Sequence, residues 1–288
     1  MKHEVRKVFN TVKRLPARDG KTLIALTRQS ITGNASAPGT YEDLRVVRVD
    51  SLGSESGFIW DINGFHHKPM PGDFILLSGI DMRMPILSHK NSDIMITVLL
   101  LSPRVFVGDS GFVGLFYTRD PSHRHIRAGT IPQAEREFSL LEEELTRPDF
   151  IGSAATCRAR LLLVELCRGL GFTPGLSVSG SHIDEITAYI GRHFTEKITL
   201  DSAAKAIGIS QSLLSKEMNV RLNISFPEYV RRLRINNAID LISSRGMSVT
   251  NAAFESGFTS IQGFYKTFRV ITGTSPREML KSRENTEK

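Results

Sequence analysis

Hydrophobic positions along this chain change their period as the sequence is read. From residue 1 to about 125 they come in short apolar or alternating runs: Thr22–Arg28, Leu44–Val49, Gly57–Ile62, Asp73–Leu77 and Ile94–Leu101. Runs of that length predict strands, and the Gly, Pro, Asn and Asp between them (GNASAPG, GSESG, PMPGD) predict turns. Many short strands divided by turns point to a sandwich or a barrel. From Gln133 to about Leu170 the spacing becomes helical. Phe138, Leu141 and Leu145 form one stripe among Glu142, Glu143 and Glu144, and after Pro148-Asp149 a second helix runs from about Ser153. Its run Leu161 to Leu166 is more apolar than one covered face requires, so self-association stands beside core packing as a reading. Gly169–Ser181 (GLGFTPGLSVSGS) has a linker's composition. Beyond it the pattern predicts only helices: Ile183–Phe194, Leu200–Ile207, Ser210–Arg221, Phe226–Ser244, Val249–Glu255, about Ser260–Val270 and a last one near Pro276–Arg283.

The helical part contains a repeat. Ala203-Ala204, Gly208 and Ile209 recur 49 residues later as Ala252-Ala253, Gly257 and Phe258. After one extra residue, Leu214 and Met218 match Phe264 and Phe268, and Asn223-Ile-Ser225 matches Gly273-Thr-Ser275. Each copy reads as a short helix, a turn at a glycine that takes the left-handed backbone cheaply, and a second helix ended by Gly or Asn. Phe264 and Phe268 are four apart and share a buried face, which leaves the polar and basic residues of that helix outward. The intervening Phe226–Ser244, with Pro227 in its first turn, forms a spacer of about 28 Å. Tyr229, Leu233, Ala238, Leu241 and Ile242 face inward on it. Two outward helices about one DNA turn apart can enter successive major grooves.

Charge and cysteine content narrow the picture further. The chain has 288 residues, enough for two domains, and a formal net charge of +7. Residues 183–288 carry 15 Lys+Arg and 11 Asp+Glu, against 22 and 19 in residues 1–182, so positive charge is denser in the helical part, as a polyanion-binding module requires. Cys157 and Cys167 lie ten residues apart on a predicted helix and do not share a face. Two reduced, buried thiols and a cytoplasmic location follow. The basic N-terminus lacks the apolar segment of a signal peptide, and Ile94–Leu101 is too short to span a membrane.

These motifs resemble the AraC/XylS family of bacterial transcription regulators. The resemblance rests on Ala253-Phe-Glu-Ser-Gly257-Phe258, Phe264, Phe268-Arg269 and Gly273-Thr-Ser275-Pro276, with support from the first copy and from Tyr229-Val-Arg-Arg-Leu-Arg234; it covers about residues 183–283. Ala252, Met218 and Asn223 depart from the family's usual Ile, Phe and Gly. The resemblance implies a multidomain α+β chain: a cupin-like β-barrel effector domain (1–130), a helical segment with a dimerisation role (131–172), a linker (173–182) and a DNA-binding domain (183–288) with helix-turn-helix motifs at 200–221 and 249–272. By position it makes Ser212, Ser215, Lys216, Ile261, Gln262, Tyr265 and Lys266 the base-reading residues. Ser210, Ser260 and Arg269 are the phosphate contacts, since helix N-termini and Arg fix register rather than read sequence. Gln suits adenine, Lys guanine O6/N7 and Ile a thymine methyl. Arg231, Arg232 and Arg234 read instead as structural or surface residues. The implied partners are double-stranded promoter DNA and RNA polymerase, with room for a small-molecule effector and a homodimer, and none of them is a membrane. No cofactor is implied.

Two other readings stay open on sequence: a cupin-type metal enzyme and a protein-interaction adaptor. Against the enzyme, adjacent His66 and His67 on a strand point to opposite faces. His123-Arg-His125 has ligand spacing but no following Glu. The "PGD then apolar strand" element, Pro71-Gly72-Asp73 into Phe74–Leu77, fits a cupin but equally any sandwich turn.

Overall fold

In the computed structural model of the chain, the alternating runs pair into two antiparallel sheets. The structure describes residues 9–16, 22–31, 44–53, 58–63, 65–81, 83–86, 94–102, 105, 110–117, 124–147, 152–173 and 182–280. The large sheet has the order β1-β2-β8-β3-β6-β9, from β1 (Phe9–Pro16), β2 (Thr22–Ile31), β3 (Leu44–Ser51), β6 (Phe74–Leu77), β8 (Ile94–Leu101) and β9 (His125–Ile126). The small one has the order β5-β4-β7, from β4 (Ile59–Ile62), β5 (Phe65–His67) and β7 (Arg83–Ile86).

Register explains why the central strands read as continuous apolar runs. Leu26, Leu99, Val46 and Leu76 stand in one row across four neighbouring strands, and all four belong to one buried cluster. The adjacent row, Thr27, Val98, Val47 and Ile75, points the other way. There Val98, Val47 and Ile75 meet Trp60 and Ile62 of the small sheet and Phe58 just before it. The large sheet is therefore covered on both faces. Its other cover is α1 (Pro132–Thr146) and α2 (Gly152–Gly169). Phe138 packs on Phe74 with ring centroids 5.1 Å apart, and the Arg48 guanidinium lies over the Phe138 ring while bonding Glu142.

The expected barrel is not closed. The two sheets share no strand, and the described residues form an open sandwich. Both edges of the small sheet lack a hydrogen-bond donor at a critical place: Pro85 lies within β7, and Pro69 follows β5. The surplus of apolar residues in α2 mostly enters the core. Leu162, Leu163 and Leu166 are fully buried, while Leu161 is 45% exposed. Both thiols are free, but only Cys167 is buried, which pushes its pKa up to about 12; Cys157 is exposed. The linker expected at 173–182 falls, from 174 to 181, outside the described residues. Among the described residues no helix is long and apolar enough to cross a membrane.

The C-terminal part is helical: α3 (Ile183–His193), α4 (Leu200–Ile207), α5 (Gln211–Glu217), α6 (Phe226–Arg245), α7 (Val249–Glu255) and α8 (Ile261–Thr272), with a further helix beginning at 276. Its apolar residues divide between two cores. Leu214, Met218, Leu222, Tyr229 and Leu233 join the cluster that contains the large sheet, α1 and α2. Ile235, Ala238, Leu241 and Ile242 join a separate cluster with Ala252, Ala253, Phe264 and Phe268.

A polar knot fixes the turn before β6. Asp73 accepts from the backbone N–H of Met70 and of Ala128, and its Oδ2 lies 2.7 Å from His125 Nε2 and 3.2 Å from Arg127. Burial works against the charged carboxylate, but the two backbone donors and His125 outweigh it and hold its pKa below the ordinary value. A depressed carboxyl pKa stabilises the fold above the unfolded value of about 3.8, and that contribution is lost as pH falls through the lower folded value. Replacing Asp73 with Asn should cost about 1–3 kcal/mol near neutral pH. In urea unfolding, the gap between wild type and variant should shrink as the pH is taken from about 5 to about 3.

Candidate nucleic-acid interface

The two repeat copies fold as two helix-turn-helix units with the same punctuation. Thr199, Ser210, Ser248 and Ser260 begin α4, α5, α7 and α8, and each side chain accepts the backbone N–H of the third residue on. Gly208 and Gly257 make the turns at φ of 80° and 88°. A β-carbon at Gly257 would collide with the Thr195 carbonyl, so this turn requires glycine both for its backbone and for its space. Asn223 and Gly273 end the second helices in the same left-handed conformation.

The second helices differ in form. α8 is regular over 12 residues, whereas α5 has 7 and passes into a π-helical turn at Met218–Leu222. The smooth helix expected to Arg221 is thus interrupted. Such bulges favour functional places, and this one lies against the N-terminal domain: a β-carbon at Gly114, in the 3-10 helix Ser110–Tyr117, would stand 3.4 Å from the Arg221 carbonyl.

Equivalent positions of the two helices have equivalent exposure. Ser212 and Gln262, Lys216 and Lys266, Asn219 and Arg269, and Val220 and Val270 all face outward. On α8, Gln262, Lys266 and Arg269 are spaced four and three apart and make one stripe. On α5 and the π-helical turn that follows it, Ser212, Ser215, Lys216 and Asn219 do the same, with Ser215 half-buried and Asn219 donating to its hydroxyl at 3.4 Å. Ile261 and Tyr265 are half-buried against the core of the second motif, so they present edges rather than whole side chains. Ser210 and Ser260 are exposed beyond their capping bonds. Lys216, Lys266 and Arg269 form no ion pair among the described residues. Arg231 and Arg232, by contrast, are held by Glu228, and Arg234 donates to the Phe194 and Glu196 carbonyls. Unpaired cations beside amide and hydroxyl groups on an outward helix can bond phosphates and base edges. Asn219 was not among the expected contacts; its spacing from Ser212 and its match to Arg269 were the available signal.

A helix-turn-helix domain family matches residues 203–282, spanning both units. The transcriptional activator RhaS of Enterobacter sp. strain 638 is 26% identical over 202 residues, covering 68% of this chain and 72% of that one. RhaS of Escherichia coli O139:H28 is 24% identical over 164 residues, covering 57% and 59%. These matches support the resemblance to AraC/XylS regulators. The chain is a DNA-binding transcription regulator of the helix-turn-helix type. ToxT of Vibrio cholerae is 13% identical and superposes with a TM-score of 0.51 over 90% of this chain and 98% of its own, so the two chains share a two-part fold. ToxT has also been solved with (E)-4-(8-methylnaphthalen-1-yl)but-3-enoic acid bound, matching at a TM-score of 0.50.

Among the described residues no group of three or more His, Cys, Asp and Glu is placed to hold an ion. His66 lies 3.5 Å from Asp61, His125 bonds Asp73, and His123 is outside the described residues.

The caps separate fold from contact. Ser260→Ala should lower stability by about 1 kcal/mol through loss of the α8 cap, read by thermal unfolding. Ser260→Asp keeps the cap but sets a carboxylate at the exposed start of α8. It should keep wild-type stability and weaken duplex binding, read by fluorescence anisotropy.

Proposed function

We propose that this regulator reads its promoter chiefly with α8, and that α5 adds register and a weaker contribution to specificity. The observation that supports this is the matched exposure of the two helices, with the longer, more informative side chains on α8. Gln262 and Lys266 are assigned to base edges, with Ile261 and Tyr265 contributing apolar contact. Ser212, Ser215 and Lys216 are their counterparts on α5. Ser210, Ser260 and Arg269 are assigned to phosphates, and Asn219 joins the α5 set. The working division is an effector domain at 1–130 of cupin-like type, a helical segment at 131–172, a linker at 173–182 and the DNA-binding domain at 183–288. Activation through RNA polymerase is inferred from the name of the RhaS relatives. A small-molecule effector is inferred from the acid bound to ToxT. The regulator acts in the cytoplasm, without catalysis, and a homodimer would form through α1 and α2, where Leu161 is the exposed apolar residue.

Selection of bound duplexes from a random pool, followed by titration of the recovered site against salt, tests the assignment. Lys266→Ala should weaken binding by about 1–3 kcal/mol and relax one position of the site. Arg269→Ala should weaken all sequences alike and reduce the salt slope by about 0.9. A Lys266→Ala protein that selects the wild-type site with wild-type affinity sinks the base-reading role.

A further inference from the structure

Between the N-terminal sheets and the C-terminal helices lies a cavity of about 410 Å³ that DNA contact leaves unused. Its size is that of a small-molecule site. One wall is apolar and comes from both domains: Ile62, Phe65 and Ile80 on the sheet side, Leu222 and Ile224 from the end of the first recognition helix. The other wall is polar, and its charges are satisfied internally. Asp81, which is 2% exposed, accepts from Asn63 on one oxygen and from Ser78 and Arg124 on the other. Arg232 is held by Glu228, whose second oxygen takes Arg231. Tyr117 bonds Tyr229 at 3.1 Å. Two cations and two carboxylates thus face the cavity already matched, and an incoming carboxylate would have to displace a buried partner and strand it.

One lining group stands apart. His67 is 8% exposed, and its Nε2 is buried with no hydrogen-bond partner among the described residues. Burial first, then the nearby His125 and Arg124, lowers its pKa, so the ring is neutral at neutral pH. A neutral imidazole nitrogen bonds a hydroxyl as donor or as acceptor. An orphan polar atom of this kind costs stability unless something occupies the site.

We propose that this cleft binds an uncharged alcohol or phenol, its hydroxyl on His67 Nε2 and its apolar body against Ile62, Phe65, Ile80, Leu222 and Ile224. The inference rests on the regulator reading for its purpose, since such a ligand would bridge the sheet domain to the tail of the first recognition helix.

The test uses the full chain and two matched probes, 2-naphthol and naphthalene-2-carboxylate, titrated by calorimetry near neutral pH. The naphthol should bind saturably and at least about tenfold tighter than the carboxylate. His67→Phe keeps a ring but removes the nitrogen, and should weaken naphthol about fivefold while the melting temperature does not fall and duplex affinity stays at wild type. Phe65→Ala provides a second variant, at a side chain 52% exposed where folding is not at stake; it should also weaken naphthol several-fold. Equal or tighter binding of the carboxylate, absence of saturable naphthol binding, or indifference of naphthol to both variants would overturn the proposal. Duplex binding measured without either probe stands apart: its loss would sink the regulator reading and leave the site intact.

Discussion

The structure depends on how α6 is shared. Leu233 belongs to the core that runs through the sheet domain and the first helix-turn-helix, and Ile235, two residues on, belongs to the core of the second. Residues two apart on a helix point about 200° from each other, so α6 buries opposite sides in two different interiors. Between them Arg234 reaches back to the Phe194 and Glu196 carbonyls after α3, and the Gly257 turn lies against Thr195 in the same loop. Asn237 bonds the buried Ser256. Helix length sets the distance between the motifs, and these contacts set their rotation. Substitutions in this loop would therefore act on the relative rotation of the two motifs.

Much of the helical domain was legible because its signals are local. A Ser or Thr before each apolar run, a glycine at each turn and aromatic residues four apart specify caps, turn and buried face within about a dozen residues. The short strands were less legible. β5, β7 and β9 have three, four and two residues, too few to show a period. Closure of the barrel was misread because it depends on which distant edges meet. Pro69 and Pro85 were visible as turn residues, but their effect comes from where β5 and β7 lie in the small sheet. The π-helical turn at Met218–Leu222 was hidden for a related reason: its surroundings are supplied by the distant 3-10 helix. In the sequence His67 is one of two adjacent histidines that point to opposite faces of a strand. Only the fold shows that its neighbours are paired with one another and that its own nitrogen is not.

The contact between the domains is polar at its rim and apolar beneath. Asn236 donates to the Gly79 and Asp81 carbonyls, and Arg124 pairs with Asp81 below them. Directional bonds of this kind define one arrangement and lose strength steeply when it shifts. Tyr117 and Tyr229 stack at 6.1 Å across the same boundary, and burial raises the Tyr117 pKa. The first helix-turn-helix is thereby held against the sheet domain, whereas among the described residues the buried side chains of α8 belong to the core of the second motif.

That division has a meaning for how the molecule opens. A motif whose interior is its own can unfold and refold as a separate cooperative unit, while one whose interior is continuous with another domain cannot open without it. The second motif, whose buried cluster is separate, can open without the sheet domain. The first is bound to the lifetime of the sheet domain, so amide protons of α5 should exchange with those of β3 and β8 rather than with those of α8.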